Sequence, residues 1–158
     1  MPRKGPVKLR DIKPDPVYKS RLVAKLINRC QLNGKKSVAQ KEVYQAFEQI
    51  KEKTGDPLKV FTEAIENIKP NMEVRPRRVG GAAYQIPIQV RGPRKESLAI
   101  RWLVASARAH TNSEFHTFGE KLAAEITDAF NTEGGAVKKK QDMERMAEAN
   151  RAFSHFRW

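Results

Sequence analysis

Residues 72–91 break the pattern of the chain around them, and that break limits the fold more than any other feature. Tyr84, Ile86, Ile88 and Val90 alternate with Gln85, Pro87, Gln89 and Arg91, a period of two that belongs to a strand. Beyond Gly80-Gly81, the segment from Met72 to Val79 can run back antiparallel to it. Pro76 and Pro87 have no N–H to give to a ladder, so neither strand can sit inside a wide sheet. The pattern predicts a two-stranded ribbon at about 72–91. Such a ribbon is marginal by itself in water, so it needs helices at its base or a partner at its tip.

Elsewhere the apolar residues recur at helical spacing. Tyr18, Leu22, Val23, Leu26, Ile27 and Cys30 form one stripe, and Asn33-Gly34 stops it. Cys30 lies on the apolar face, which predicts a buried thiol. A second helix runs from Ser37, with Val43, Phe47 and Ile50 inward and Gly55 near its end. Asp56-Pro57 opens a third, with aspartate as N-cap and proline in the first turn, and Pro70 closes it. Three more helices are expected at about 94–109, 115–130 and from Gly134-Gly135 to about Asn150. The first of these, with Leu98, Ile100, Trp102, Leu103 and Val104, should be central. The fold class is therefore mainly α: a six-helix single domain with a protruding two-stranded antiparallel ribbon between helices three and four. Residues 1–16 read as an extended basic arm, 17–150 as the helical domain, and 151–158 as a basic-aromatic tail. The arm carries Arg3, Lys4, Lys8, Arg10 and Lys13 among four prolines and has too few apolar residues to fold alone.

Charge decides the class of partner. The 158 residues hold 31 Lys+Arg against 18 Asp+Glu, a formal net charge of +13. That excess suits a polyanion, either nucleic acid or an anionic membrane surface, and not a small neutral substrate. The positive residues fall on turns and a ribbon, not along one amphipathic helix, which argues against the membrane. Its single cysteine leaves no internal disulfide framework and no cysteine-based zinc cluster. No apolar run approaches the roughly 20 residues that span a bilayer, and Met1-Pro2-Arg3-Lys4-Gly5 lacks a signal peptide's apolar stretch, so a soluble intracellular protein is expected.

The cations are unevenly placed. Residues 21–36 hold Arg21, Lys25, Arg29, Lys35 and Lys36 with no acid, whereas residues 111–130 hold Glu114, Glu120, Glu125 and Asp128 against Lys121. One side of the molecule should be strongly positive and another weakly acidic. In Gly34-Lys35-Lys36-Ser37, two lysines open a helix whose N-terminus itself favours phosphate, although the P-loop spacing is absent. The ribbon and its exit carry Arg75, Arg77, Arg78, Arg91, Arg94 and Lys95 around a tip of small residues, Gly80, Gly81, Ala82 and Ala83, with Tyr84 beside it. Arginine can pair with phosphate oxygens there and tyrosine can stack on a base. Lys138, Lys139 and Lys140 add a further phosphate contact beside a basic domain. A DNA-bending architectural protein with a ribbon arm is the alternative from composition and pattern. Catalysis is not expected: His110, His116 and His155 are scattered, and no nucleophile motif appears. No cofactor, metal or small-molecule substrate is implied.

Five ordered blocks carry a resemblance over essentially the whole chain. They are Asp15-Pro16-Val17-Tyr18, Asn33-Gly34-Lys35-Lys36-Ser37, Arg77-Arg78-Val79-Gly80-Gly81-Ala82-Ala83-Tyr84-Gln85-Ile86-Pro87, Leu98-Ala99-Ile100-Arg101-Trp102, and the run from Arg145 to Phe153. Together they resemble the bacterial form of the small-subunit ribosomal protein family S-seven. The resemblance implies a structural, non-enzymatic role in the cytoplasmic small ribosomal subunit. It also implies binding to the 3′ major domain of the small-subunit (16S-type) rRNA, nucleation of head assembly, and a surface toward exit-site tRNA and the mRNA exit path. S-eleven is the protein neighbour it implies. Carried onto matching positions, rRNA contact falls to Arg3, Lys4, Arg10, Lys35, Lys36, Arg75, Arg77, Arg78, Arg94 and Lys95. The tRNA- and mRNA-facing surface falls to Gly80, Gly81, Ala82, Tyr84, Arg145 and Asn150. Two places depart from the family pattern. The turn His110-Thr111-Asn112-Ser113-Glu114 stands where relatives are commonly rich in Lys and Arg, and Glu144 stands where a histidine often precedes Arg145-Met146.

Overall fold

The computed structural model describes Arg3, Gly5 and residues 11–156. Its elements in chain order are α1 (Arg21–Cys30), α2 (Lys36–Thr54), α3 (Pro57–Ile68), β1 (Met72–Val79), β2 (Ala82–Gln89), α4 (Gly92–Ala109), α5 (Phe118–Phe130), α6 (Gly134–Ala149) and a short 3-10 helix (Arg151–Phe156). The expected architecture of six α-helices with a ribbon between the third and fourth is what forms. The 3-10 helix is an addition to those elements and lies within the segment 151–158 read as a basic-aromatic tail.

Local chemistry sets the boundaries. Asp56 accepts from the N–H groups of Leu58 and Lys59, and Pro57 occupies the first turn of α3. The fifth helix starts at Phe118, three residues later than its apolar stripe suggests. Thr117 and Glu120 close a capping box there, which leaves Phe115 in the preceding turn, edge-on to His110. Likewise α1 starts at Arg21, because Asp15 organises the residues before it. Its carboxylate accepts from the N–H of Val17 and Tyr18 and from the Tyr44 hydroxyl, and Asp15 is itself 4% exposed. The end of the arm is thus pinned to α2.

One core joins the helices. α5 packs against α2, α3, α4 and α6, and α4 against α1, α3, α5 and α6. Phe47 and Phe61 are fully buried with ring centroids 5.5 Å apart, and Leu26, Ile65, Leu103, Leu122 and Ile126 surround them. Each such side chain contributes about 1.5–3 kcal/mol on leaving water. The ribbon pairs Met72 with Gln89 through Val79 with Ala82, so its loop is Gly80-Gly81 alone. Both glycines have left-handed backbone, φ 59° and 91°, as a two-residue hairpin loop of this hand requires. The inner half is anchored by buried Ile86, Pro87 and Val90 and packs on α6, while the outer half projects beyond the helices.

Candidate nucleic-acid interface

Cations from three stretches of sequence lie on α1, at the start of α4 and at the root of the ribbon. Lys25 on α1 pairs with Glu96 on α4, which brings the two helices together. Beside that pair lies a groove of about 330 Å³, lined by Lys25, Asn28, Arg29, Pro93 and Ser97. At the ribbon root, Arg94 and Arg75 both bind Glu73, Arg94 through Nε at 3.2 Å and Arg75 through Nε and Nη2. Glu73 is 4% exposed, so its carboxylate is buried between two guanidinium groups that stay largely in solvent. Those groups compensate a charge that could not be buried alone. Two guanidinium groups against one carboxylate leave one positive charge there, less than the sequence count suggests. Lys95 Nζ donates to Asn71 Oδ1 at 2.8 Å on the same root.

At its far end α1 reaches the Asn33-Gly34 turn. Both residues have left-handed backbone, φ 51° and 75°, which asparagine and glycine tolerate best. The turn displays exposed Lys35 and Lys36 at the N-terminus of α2, which has neither a side-chain cap nor an acid in its first turn. Arg108 donates to Cys30 O at 3.1 Å, and a second groove of about 500 Å³ lies between Leu32, Lys35, Val38, Arg108 and Phe118. Among the described residues Arg29, Lys35, Lys36 and Arg78 have no carboxylate within ion-pair distance, so their charge is free for an external anion. Cys30 is buried, and burial pushes its thiol up to about 12, against the opposing pull of Arg108 and Arg29.

The ribbon distributes its arginines unequally. Arg75 is held by Glu73, Arg77 Nη1 donates to Phe156 O at 3.1 Å, and Arg78 is exposed near the tip. Gly80, Gly81 and Ala82 are exposed. Tyr84 is half-buried: its ring packs on Phe153 and Phe156, with centroids at 5.2 and 5.6 Å. On α6, Lys138 and Lys139 are exposed. Lys140 is spent internally on Asn67 O at 2.9 Å. Arg145 is exposed beside Asp142, and Asn150 Nδ2 caps α6 by donating to Met146 O at 2.8 Å. Arg3 is exposed, whereas Lys4 and Arg10 lie outside the described residues.

The expected acidic side is reduced by burial. Glu125 is 1% exposed, accepting from His110 Nε2 at 2.8 Å and from the Ala136 N–H at 2.7 Å. Lys121 is also buried and donates to His110 O and Asn112 Oδ1. These charges hold the α4–α5 turn and the start of α6. Glu144 has a comparable task, accepting from Asn71 N at 3.0 Å and tying α6 to the ribbon root. The sequence shows Glu73, Glu125 and Glu144 only as charges or as a departure from the family pattern; their internal partners appear with the fold.

A basic helical body with an arginine-edged ribbon and exposed, unpaired cations is the form of a structural polyanion-binding protein. Comparison with known proteins narrows this. Residues 2–151 match the model of the family described as ribosomal protein S7p/S5e. The chain is 63% identical to small ribosomal subunit protein uS7 of Caldicellulosiruptor saccharolyticus, 60% to that of Carboxydothermus hydrogenoformans and 57% to that of Nitratidesulfovibrio vulgaris. Each alignment covers 100% of both chains. The chain belongs to the ribosomal protein S7p/S5e family, whose members are structural and not enzymatic.

Proposed function

We propose that this chain docks on the 3′ major domain of small-subunit rRNA in a bacterial cytoplasmic ribosome and nucleates assembly of the subunit head. What supports this reading is the family membership together with cations that have no carboxylate partner among the described residues: Arg29 on α1, Lys35 and Lys36 at the start of α2, and Arg78 near the ribbon tip. Cations of this kind neutralise phosphates where RNA helices converge and release their counterions. The arm of residues 1–16, led by Arg3, Lys4 and Arg10, adds to the same contact, and Lys138 and Lys139 extend it along α6. The ribbon tip, with Gly80, Gly81, Ala82 and Tyr84, and the end of α6, with Arg145 and Asn150, face exit-site tRNA and the mRNA exit path. S-eleven is the neighbour on that side.

The test is a filter-binding titration against an isolated 3′-domain RNA fragment at several salt concentrations. Lys35→Ala with Lys36→Ala should lower the salt slope by about one unit per lost phosphate contact, with duplex DNA failing to compete. An unchanged slope removes the turn from the RNA interface, and competition by duplex DNA points to an architectural DNA-binding role instead.

A further inference from the structure

We infer that the C-terminal 3-10 helix is a brace that sets the position of the outer ribbon, with Phe153 and Phe156 as positioning residues. The two halves of the ribbon are supported differently. The inner half has the buried side chains of Ile86, Pro87 and Val90 and the Glu73 ion pairs with Arg75 and Arg94. From Arg77 outward the support differs: among the described residues Arg77, Arg78, Gly80, Gly81, Ala82 and Ala83 are exposed. An unsupported two-stranded segment is marginal in water and would sample many orientations.

The tail supplies the missing support. After α6 the chain turns at Asn150, whose carbonyl accepts from Phe153 N at 3.0 Å, and the 3-10 helix runs back along β2. Tyr84 in the outer half is half-buried, and its ring is covered by Phe153 and Phe156 at centroid distances of 5.2 and 5.6 Å. His155 lies 3.9 Å from the Phe156 ring, and on the facing strand Arg77 Nη1 holds Phe156 O at 3.1 Å. Tyr84 and Arg77 are paired across the ladder, so the tail grips both strands at one register position. No side chain of the 3-10 helix is fully buried, so the brace lies outside the main core and can be removed without unfolding it.

The inference rests on the reading of the ribbon as a nucleic-acid contact only for its second readout. In the full chain, Phe153→Ala with Phe156→Ala should leave amide exchange in α1 and α3 unchanged. The same variant should speed exchange at residues 77–85 at least about tenfold. Each lost aromatic contact is worth up to about a tenfold change in the equilibrium. Phe153→Tyr with Phe156→Tyr should restore protection. Binding to the 3′-domain fragment should weaken about five- to tenfold with an unchanged salt slope, because no cation has been removed. Equal exchange at 77–85 in both proteins, fast or slow, overturns the brace. Faster exchange with unaltered RNA affinity upholds the brace and removes the ribbon from the RNA contact.

Discussion

The ribbon and the α4–α5 corner carry comparable numbers of charged residues and use them in opposite ways. At the corner, Glu125 and Lys121 are buried, each occupied by two partners inside the protein. On the ribbon Glu73 alone is buried, and the arginines around it keep much of their surface in solvent. The difference is one of desolvation. A charge taken out of water must be compensated locally and becomes part of the frame; one left in water is available to an outside partner. Sequence charge counts treat the two alike, and the structure separates them.

This contrast can be broken by substitution. The largest effect is expected at Glu125: Glu125→Ala leaves His110 and the Ala136 N–H unpartnered beside the first turn of α6. It should cost about 3 kcal/mol in chemical denaturation, with the RNA salt slope intact. Equal loss of slope would place Glu125 in both roles and blur the distinction. A smaller effect belongs to the capping box of α5, where Thr117→Ala should cost about 1 kcal/mol. Hydrogen bonds from the His116 and Thr117 N–H groups hold the Glu120 carboxyl below its usual range. Its contribution is therefore present above the unfolded-state pKa and is lost as pH falls through the lower folded one. The deficit of Glu120→Gln, measured by thermal unfolding across pH, should be full near neutrality and vanish in acid. The smallest change in stability should come from Arg78→Ala, within about 0.5 kcal/mol, while the RNA salt slope drops by about one unit.

Much of the frame was legible along the chain. Alternation around Gly80-Gly81 marked the ribbon because a period of two is a local property, and Asp56-Pro57 marked the start of α3 for the same reason. Thr117 was passed over as a cap, since the apolar stripe extends back to Phe115 and periodicity alone cannot say where a helix stops. What stayed hidden depends on residues far apart. Glu125 meets His110 and Ala136, Glu144 meets Asn71, and Asp15 meets Tyr44 only once the helices have packed. Family resemblance pointed to the ribbon arginines as a group, yet their separate commitments to Glu73 and to Phe156 O follow from the register and the path of the tail. Tyr84 illustrates the same limit. In the sequence it stands beside a tip as a free ring, whereas folding covers it with two phenylalanines.

Cys30 brings a practical benefit. Its thiol, buried at the end of α1 and raised to about 12, stays protonated in neutral buffer and so reacts slowly with alkylating dyes. A cysteine introduced at exposed Ala82 would therefore be labelled selectively in an otherwise natural chain. A fluorophore there would report the motion of the ribbon tip directly.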